Sequence, residues 1–101
     1  MSVDTYVLRS SAIASRVLGD EAIVMSPADS TLFSINVAGT AIWEAMDGKT
    51  PLAQIVKEKI CTIFDVDLEP ALKDAERFVE RLSQHGIVRI ADHPITDTES
   101  R

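Results

Sequence analysis

The side chains of this chain that could do chemistry are scattered rather than convergent. Hydrolytic or acid–base catalysis needs titratable groups that meet in one pocket, and no such set can be assembled here. His85 stands just before Gly86, where a charge–dipole or solvent role at a helix end accounts for it, and His93 lies in a polar tail. Cys61, among Ile60, Thr62 and Ile63, reads as an inert, partly buried thiol. Asp65, Asp67 and Glu69 alternate like a metal loop but lack the glycine and the distal glutamate of a calcium site, so helix capping is the simpler reading. Gly39 is isolated, and the spacing of the glycines matches no phosphate-binding fingerprint. Trp43 has two readings, a core residue whose indole N–H reaches a backbone carbonyl, or a ligand contact. The expectation is a protein without catalytic groups, metal or organic cofactor.

Composition narrows the partners. Sixteen acidic against ten basic residues give a net charge of −6, which repels polyanions and disfavours nucleic acid. A single cysteine cannot form an internal disulfide, which fits a reducing cytosol and a cytoplasmic location. Met1 to Ser10 carry Asp4 and no apolar run of signal-peptide length, and no stretch approaches the roughly 20 apolar residues of a membrane span. A length of 101 residues suits one domain. Domains of this size bury only about 60–70% of their unfolded surface, so a partner or a second copy would add to stability.

The hydrophobic pattern supplies the elements. Residues 1–11 have no clear period and read as a lead-in. Ala12 to Leu18, with Ile13 and Val17 on one face, alternates as a half-buried strand. Gly19-Asp20 turns it into a second strand, Glu21 to Ser26, which Pro27-Ala28-Asp29 breaks. Thr31 to Ile35 is the third strand, with Phe33 and Ile35 facing the core. Asn36 is a good N-cap for a short helix, Val37 to Asp47, that Gly48 ends. Thr50-Pro51 offers a capping hydroxyl and a first-turn proline to a second helix carrying Leu52, Ile55, Val56, Ile60 and Ile63. In the third, Ala71, Leu72, Ala75, Phe78, Val79 and Leu82 recur at helical spacing, leaving Lys73, Glu76, Arg77, Glu80 and Arg81 to solvent. Ile87 to Ile90 reads as a short closing extension, and residues 92–101 as a disordered tail. Three strands followed by three helices make an α+β domain, winged-helix-like, over residues 12–91, with the helices on one face of an antiparallel sheet.

One functional candidate survives, and it is made of backbone. An outer strand of a meander leaves N–H and C=O groups unpaired, and these can template an added strand. The strand Thr31 to Ile35 has no lysine or proline to blunt it. The run Leu32-Phe33-Ser34-Ile35-Asn36, then Val37-Ala38-Gly39-Thr40-Ala41-Ile42-Trp43-Glu44, then Asp47-Gly48, resembles the PqqD-like family from about Ser15 to Ile90. The resemblance implies a RiPP recognition element, a peptide chaperone that holds the leader of a ribosomally made precursor for a modifying enzyme, often a radical S-adenosylmethionine enzyme. It implies that the leader adds as a strand beside the third strand, with apolar side chains in the cleft between that strand and the third helix. Carried onto this chain, the site is Thr31, Leu32, Phe33, Ser34 and Ile35 on the strand, with Leu72, Ala75, Glu76 and Val79 on the helix. Two other functions compete: a structural domain that uses the same edge to form a homodimer, and a helix-turn-helix DNA binder. The DNA reading conflicts with the third-helix face, which mixes Lys73, Arg77 and Arg81 with Asp74, Glu76 and Glu80.

Overall fold

In the computed structural model, which describes residues 5–10, 13–27 and 29–95, two three-stranded antiparallel sheets share one core with the helices. β2 (Ala14–Leu18), β3 (Glu21–Met25) and β4 (Leu32–Ile35) form a meander. The second sheet places β1 (Tyr6–Arg9) between β5 (Asp47–Pro51) and β6 (Val88–Ala91). Helix α1 (Val37–Ala45) follows β4. Helix α2 (Leu52–Val56) runs through a π-helical turn (Lys57–Cys61) into α3 (Thr62–Phe64), and α4 (Leu68–Gln84) is the long helix. The α+β class and the order of meander then helices follow the sequence reading.

The second sheet corrects the reading of residues 1–11 as a lead-in. Val7 is fully buried, and β1 pairs with Val88–Ala91 on one side and with β5 on the other. Its partners are about 40 and 80 residues away along the chain; neither they nor a two-residue alternation could be seen in four residues. At the other end, the stretch read as a disordered tail begins with an anchor: Ile95 is buried and its N–H donates to the Gly48 carbonyl at 2.7 Å. Residues 96–101 lie outside the described residues.

Three further differences have local causes. Helix α1 stops at Ala45, two residues early, because the Asp47 carboxylate accepts the Lys49 and Thr50 N–H groups at 2.9 and 2.8 Å and turns the chain into β5. Burial alone would raise the Asp47 pKa, but these hydrogen bonds outweigh it and the net direction is down. The Thr50 hydroxyl is likewise drawn to Asp47 at 3.2 Å, so Pro51 occupies the N-cap of α2 without a side-chain bond. The π turn, braced by the Thr62 hydroxyl on the Lys57 carbonyl at 2.9 Å, adds a residue to the helical phase. Ile60 therefore stays buried while Ile63, expected on the same stripe, is 64% exposed. Strand β2, read as half-buried, is exposed along its whole length, because α1 packs on β3 and β4 and does not reach it.

Gly48 has φ +73°, and a Cβ there would lie 2.6 Å from the Ile95 carbonyl oxygen; Gly19 has φ +67° with open space around it. Left-handed backbone costs an L residue about 1–2 kcal/mol. Gly19→Ala should lose about that much in denaturant unfolding and Gly48→Ala distinctly more. Equal losses would mean that the Gly48–Ile95 contact does not hold the chain end.

Candidate functional site

Strand β4 pairs with β3 alone, in the register Ala22↔Ile35, Ile23↔Ser34, Val24↔Phe33 and Met25↔Leu32. One step further, the Ser26 N–H donates to the Thr31 carbonyl at 2.8 Å. Antiparallel ladders alternate between hydrogen-bonded and non-bonded pairs. Thr31, Phe33 and Ile35 therefore turn their backbone groups toward β3, and Leu32 and Ser34 turn theirs to the open edge. The side chains follow the other alternation: Ile35 is buried and Phe33 half-buried on the inner face, while Leu32 is 61% exposed.

The open edge looks onto a groove of about 650 Å³ between the end of β4, the first turns of α1 and one face of α4. The Asn36 carboxamide oxygen caps α1 by accepting the Gly39 N–H at 2.8 Å. Gly39 lets α1 come close: a Cβ there would sit 2.6 Å from Ile35 Cγ2 and 3.4 Å from Phe78 Cζ. Ile60, Phe64 and Val66 close the far side, and the last two are exposed. The surface is mostly apolar and suits side chains of an extended peptide.

Of the residues inferred for the site, the structure brings Ser34, Ile35 and Ala75 to the groove. Thr31, Leu32 and Phe33 lie along the same strand, outside the lining. Leu72, Glu76 and Val79 are also outside it, and Val79 is completely buried. Along α4 the most buried line is Ala75, Val79 and Leu82, and the groove is lined by Ala75 together with the adjacent line of Ala71, Asp74, Phe78 and Arg81. Periodicity finds the stripe, whereas only packing shows which flank stays open. Trp43 is a core residue, with the Arg9 guanidinium 5.6 Å from its ring centroid.

A polar latch closes the start of β4 onto the end of α4. His85 Nδ1 lies 3.2 Å from an Asp29 carboxylate oxygen, its ring meets Phe33 edge-on at 4.8 Å, and its carbonyl accepts the buried Ser26 hydroxyl at 2.9 Å. A charge–dipole or solvent role at the helix end was expected for His85; its link to the β3–β4 loop depends on a contact 56 residues away in sequence. At the other end of α4, Asp67 holds the N-cap position without a side-chain bond, and Asp65 ends α3 in the left-handed conformation. Among the described residues no group of three potential metal ligands occurs, and no helix is long and apolar enough to cross a membrane.

An open strand edge beside a helix-walled, mostly apolar groove is the arrangement that strand addition requires. Residues 21–88 match the family model described as coenzyme PQQ synthesis protein D (PqqD), and the chain belongs to that family. A solved structure described as "TbiB1 in Complex with the TbiA(beta) Leader Peptide" shares its fold, with a TM-score of 0.71 over 81% of this chain and 94% of that one, at 23% identity. Among curated proteins no match was found.

The latch makes a pH prediction. The Thr31 N–H, the hydroxyls of Ser26 and Thr31, and the His85 ring together lower the Asp29 pKa from 3.8 to about 2. A depressed carboxylate pKa means stability present above about pH 3.8 and lost as pH falls through about 2. An NMR carboxyl titration should place the Asp29 midpoint near 2, and Asp29→Asn should remove that part of the acid sensitivity; an ordinary midpoint would mean that the Asp29–Thr31 hydrogen bonds are open in solution.

Proposed function

We propose that this protein is a non-catalytic adaptor, a RiPP recognition element that binds the leader segment of a ribosomally made precursor and presents it to a modifying enzyme. The carrying observation is the unpaired edge of β4 at Leu32 and Ser34, opening on the apolar groove walled by α4. A leader strand would take backbone hydrogen bonds from that edge and place alternate side chains in the groove. Family membership and the shared fold with a protein solved in complex with a leader peptide support the same reading. The adaptor would act by raising the effective concentration of the core peptide at the enzyme, leaving the chemistry to that enzyme. A radical S-adenosylmethionine enzyme is the partner we favour. Leu18, Ile23, Met25 and Leu32, exposed together on the outer face of the meander, support a contact there with the enzyme. Self-pairing of β4 into a homodimer would occupy the edge and compete with the leader.

Ala75 is only 2% exposed, so Ala75→Arg would disrupt the core as well as the site. Ala71, half-buried on the groove wall, is the better probe. In a titration with a leader from a precursor gene beside this one, Ala71→Arg should weaken binding at least about tenfold, about 1.4 kcal/mol, with an unchanged circular dichroism spectrum. Ser34→Pro, which removes an edge donor rather than a ladder bond, should also weaken binding in a folded protein. Unchanged affinity in both variants would place the site elsewhere.

A further inference from the structure

Two charged side chains, Asp74 and Arg81, stand in the otherwise uncharged and mostly apolar lining of the groove. Their places along it follow from the contacts of α4. His85 packs on Phe33, and Phe78 approaches Gly39 beyond Ile35, so α4 runs antiparallel to β4. Arg81 falls between these levels along α4, and Asp74 lies two helical turns further on, past the end of the strand. Arg81 is exposed and makes no ion pair with any described residue. Asp74 has one loose contact, to Arg77 at 4.0 Å, with both side chains more than 80% exposed. Neither charge is needed to neutralise the other wall, and neither is held away from a ligand.

We infer that Arg81 and Asp74 are specificity-determining residues, and that the groove selects an extended apolar segment bearing an acidic side chain at the Arg81 end and a basic one at the Asp74 end. This rests on the peptide-docking reading and adds the chemistry of the ligand. Seven residues along α4 span about 10.5 Å at 1.5 Å per residue, which equals about three residues of extended chain at about 3.3 Å each. Because strand side chains alternate in direction, only an even spacing puts both charges on the groove side, so the ligand's charges stand four positions apart, with an apolar side chain between them over the groove. The order of acid and base along the peptide then fixes the direction in which it lies on β4. A like charge opposite either residue would be repelled, modestly because both side chains are exposed to solvent.

The test uses the full chain and synthetic 12-residue probes with an alternating apolar centre. One probe carries Glu and Lys four positions apart, and companions replace Glu, Lys or both by Gln. By fluorescence anisotropy, Glu→Gln in the probe should weaken binding to the unaltered protein about three- to fivefold, the upper range for an exposed ion pair. It should cost less than about twofold on Arg81→Gln, the coupling that a double-mutant cycle isolates. Asp74→Lys should shift preference from the Glu/Lys probe to one with Glu at both places. If all probes bind equally and Ala71→Arg abolishes binding of each, docking stands and the charge selection is wrong. If no probe shows binding that Ala71→Arg removes, the docking reading fails and this inference with it.

Discussion

The structure depends on a strand committed on one side only. Backbone groups of Phe33 and Ile35 are spent on β3, and the Ile35 side chain is buried beneath α1 and the sheet. Leu32 and Ser34 turn their donors and acceptors away from β3, to the open edge. A strand at the edge of a sheet is ordinarily a hazard. Here β4 is four residues long and ends at the Asn36 cap, so the open ladder is short and the helices beside it limit what can approach. The same feature that protects the chain from indiscriminate pairing leaves a groove in which an incoming strand can bury side chains.

Fold and recognition are thereby separated within single elements. On α4, Ala75, Val79 and Leu82 hold the helix to the core, while Ala71, Asp74, Phe78 and Arg81 look into the groove. On β4, one set of backbone groups makes the sheet and the other faces outward. Changes to the second set leave the core packing intact, which is not true of the first. Gly39 and Phe78 sit where the two sets meet, since a side chain at Gly39 would push against both Ile35 and Phe78.

Much of this was legible in the sequence, because it is encoded locally. The turn at Gly19-Asp20, the Asn36 cap, and the three- and four-residue spacing from Ala71 to Leu82 each specify their element from near neighbours. What was not legible depends on distant contacts. β1 is a strand because residues 47–51 and 88–91 come to it, and His85 joins the β3–β4 loop through Asp29. Which flank of the α4 stripe lines the groove was not legible for a related reason: apolar periodicity cannot distinguish a buried line from a half-open one beside it. Gly39 carried a usable signal, as an isolated glycine inside a helical run marks close approach of another element.

The central claim is that a peptide completes the β4 ladder, and amide hydrogen exchange at single-residue resolution tests it most directly. In the free protein the Leu32 and Ser34 amides should exchange fast while those of Phe33 and Ile35 are protected by β3. Adding a bound leader peptide should slow exchange at Leu32 and Ser34 and leave the β3-facing amides as they were. Binding that leaves Leu32 and Ser34 fast while protecting β2 or β6 instead would contradict the account.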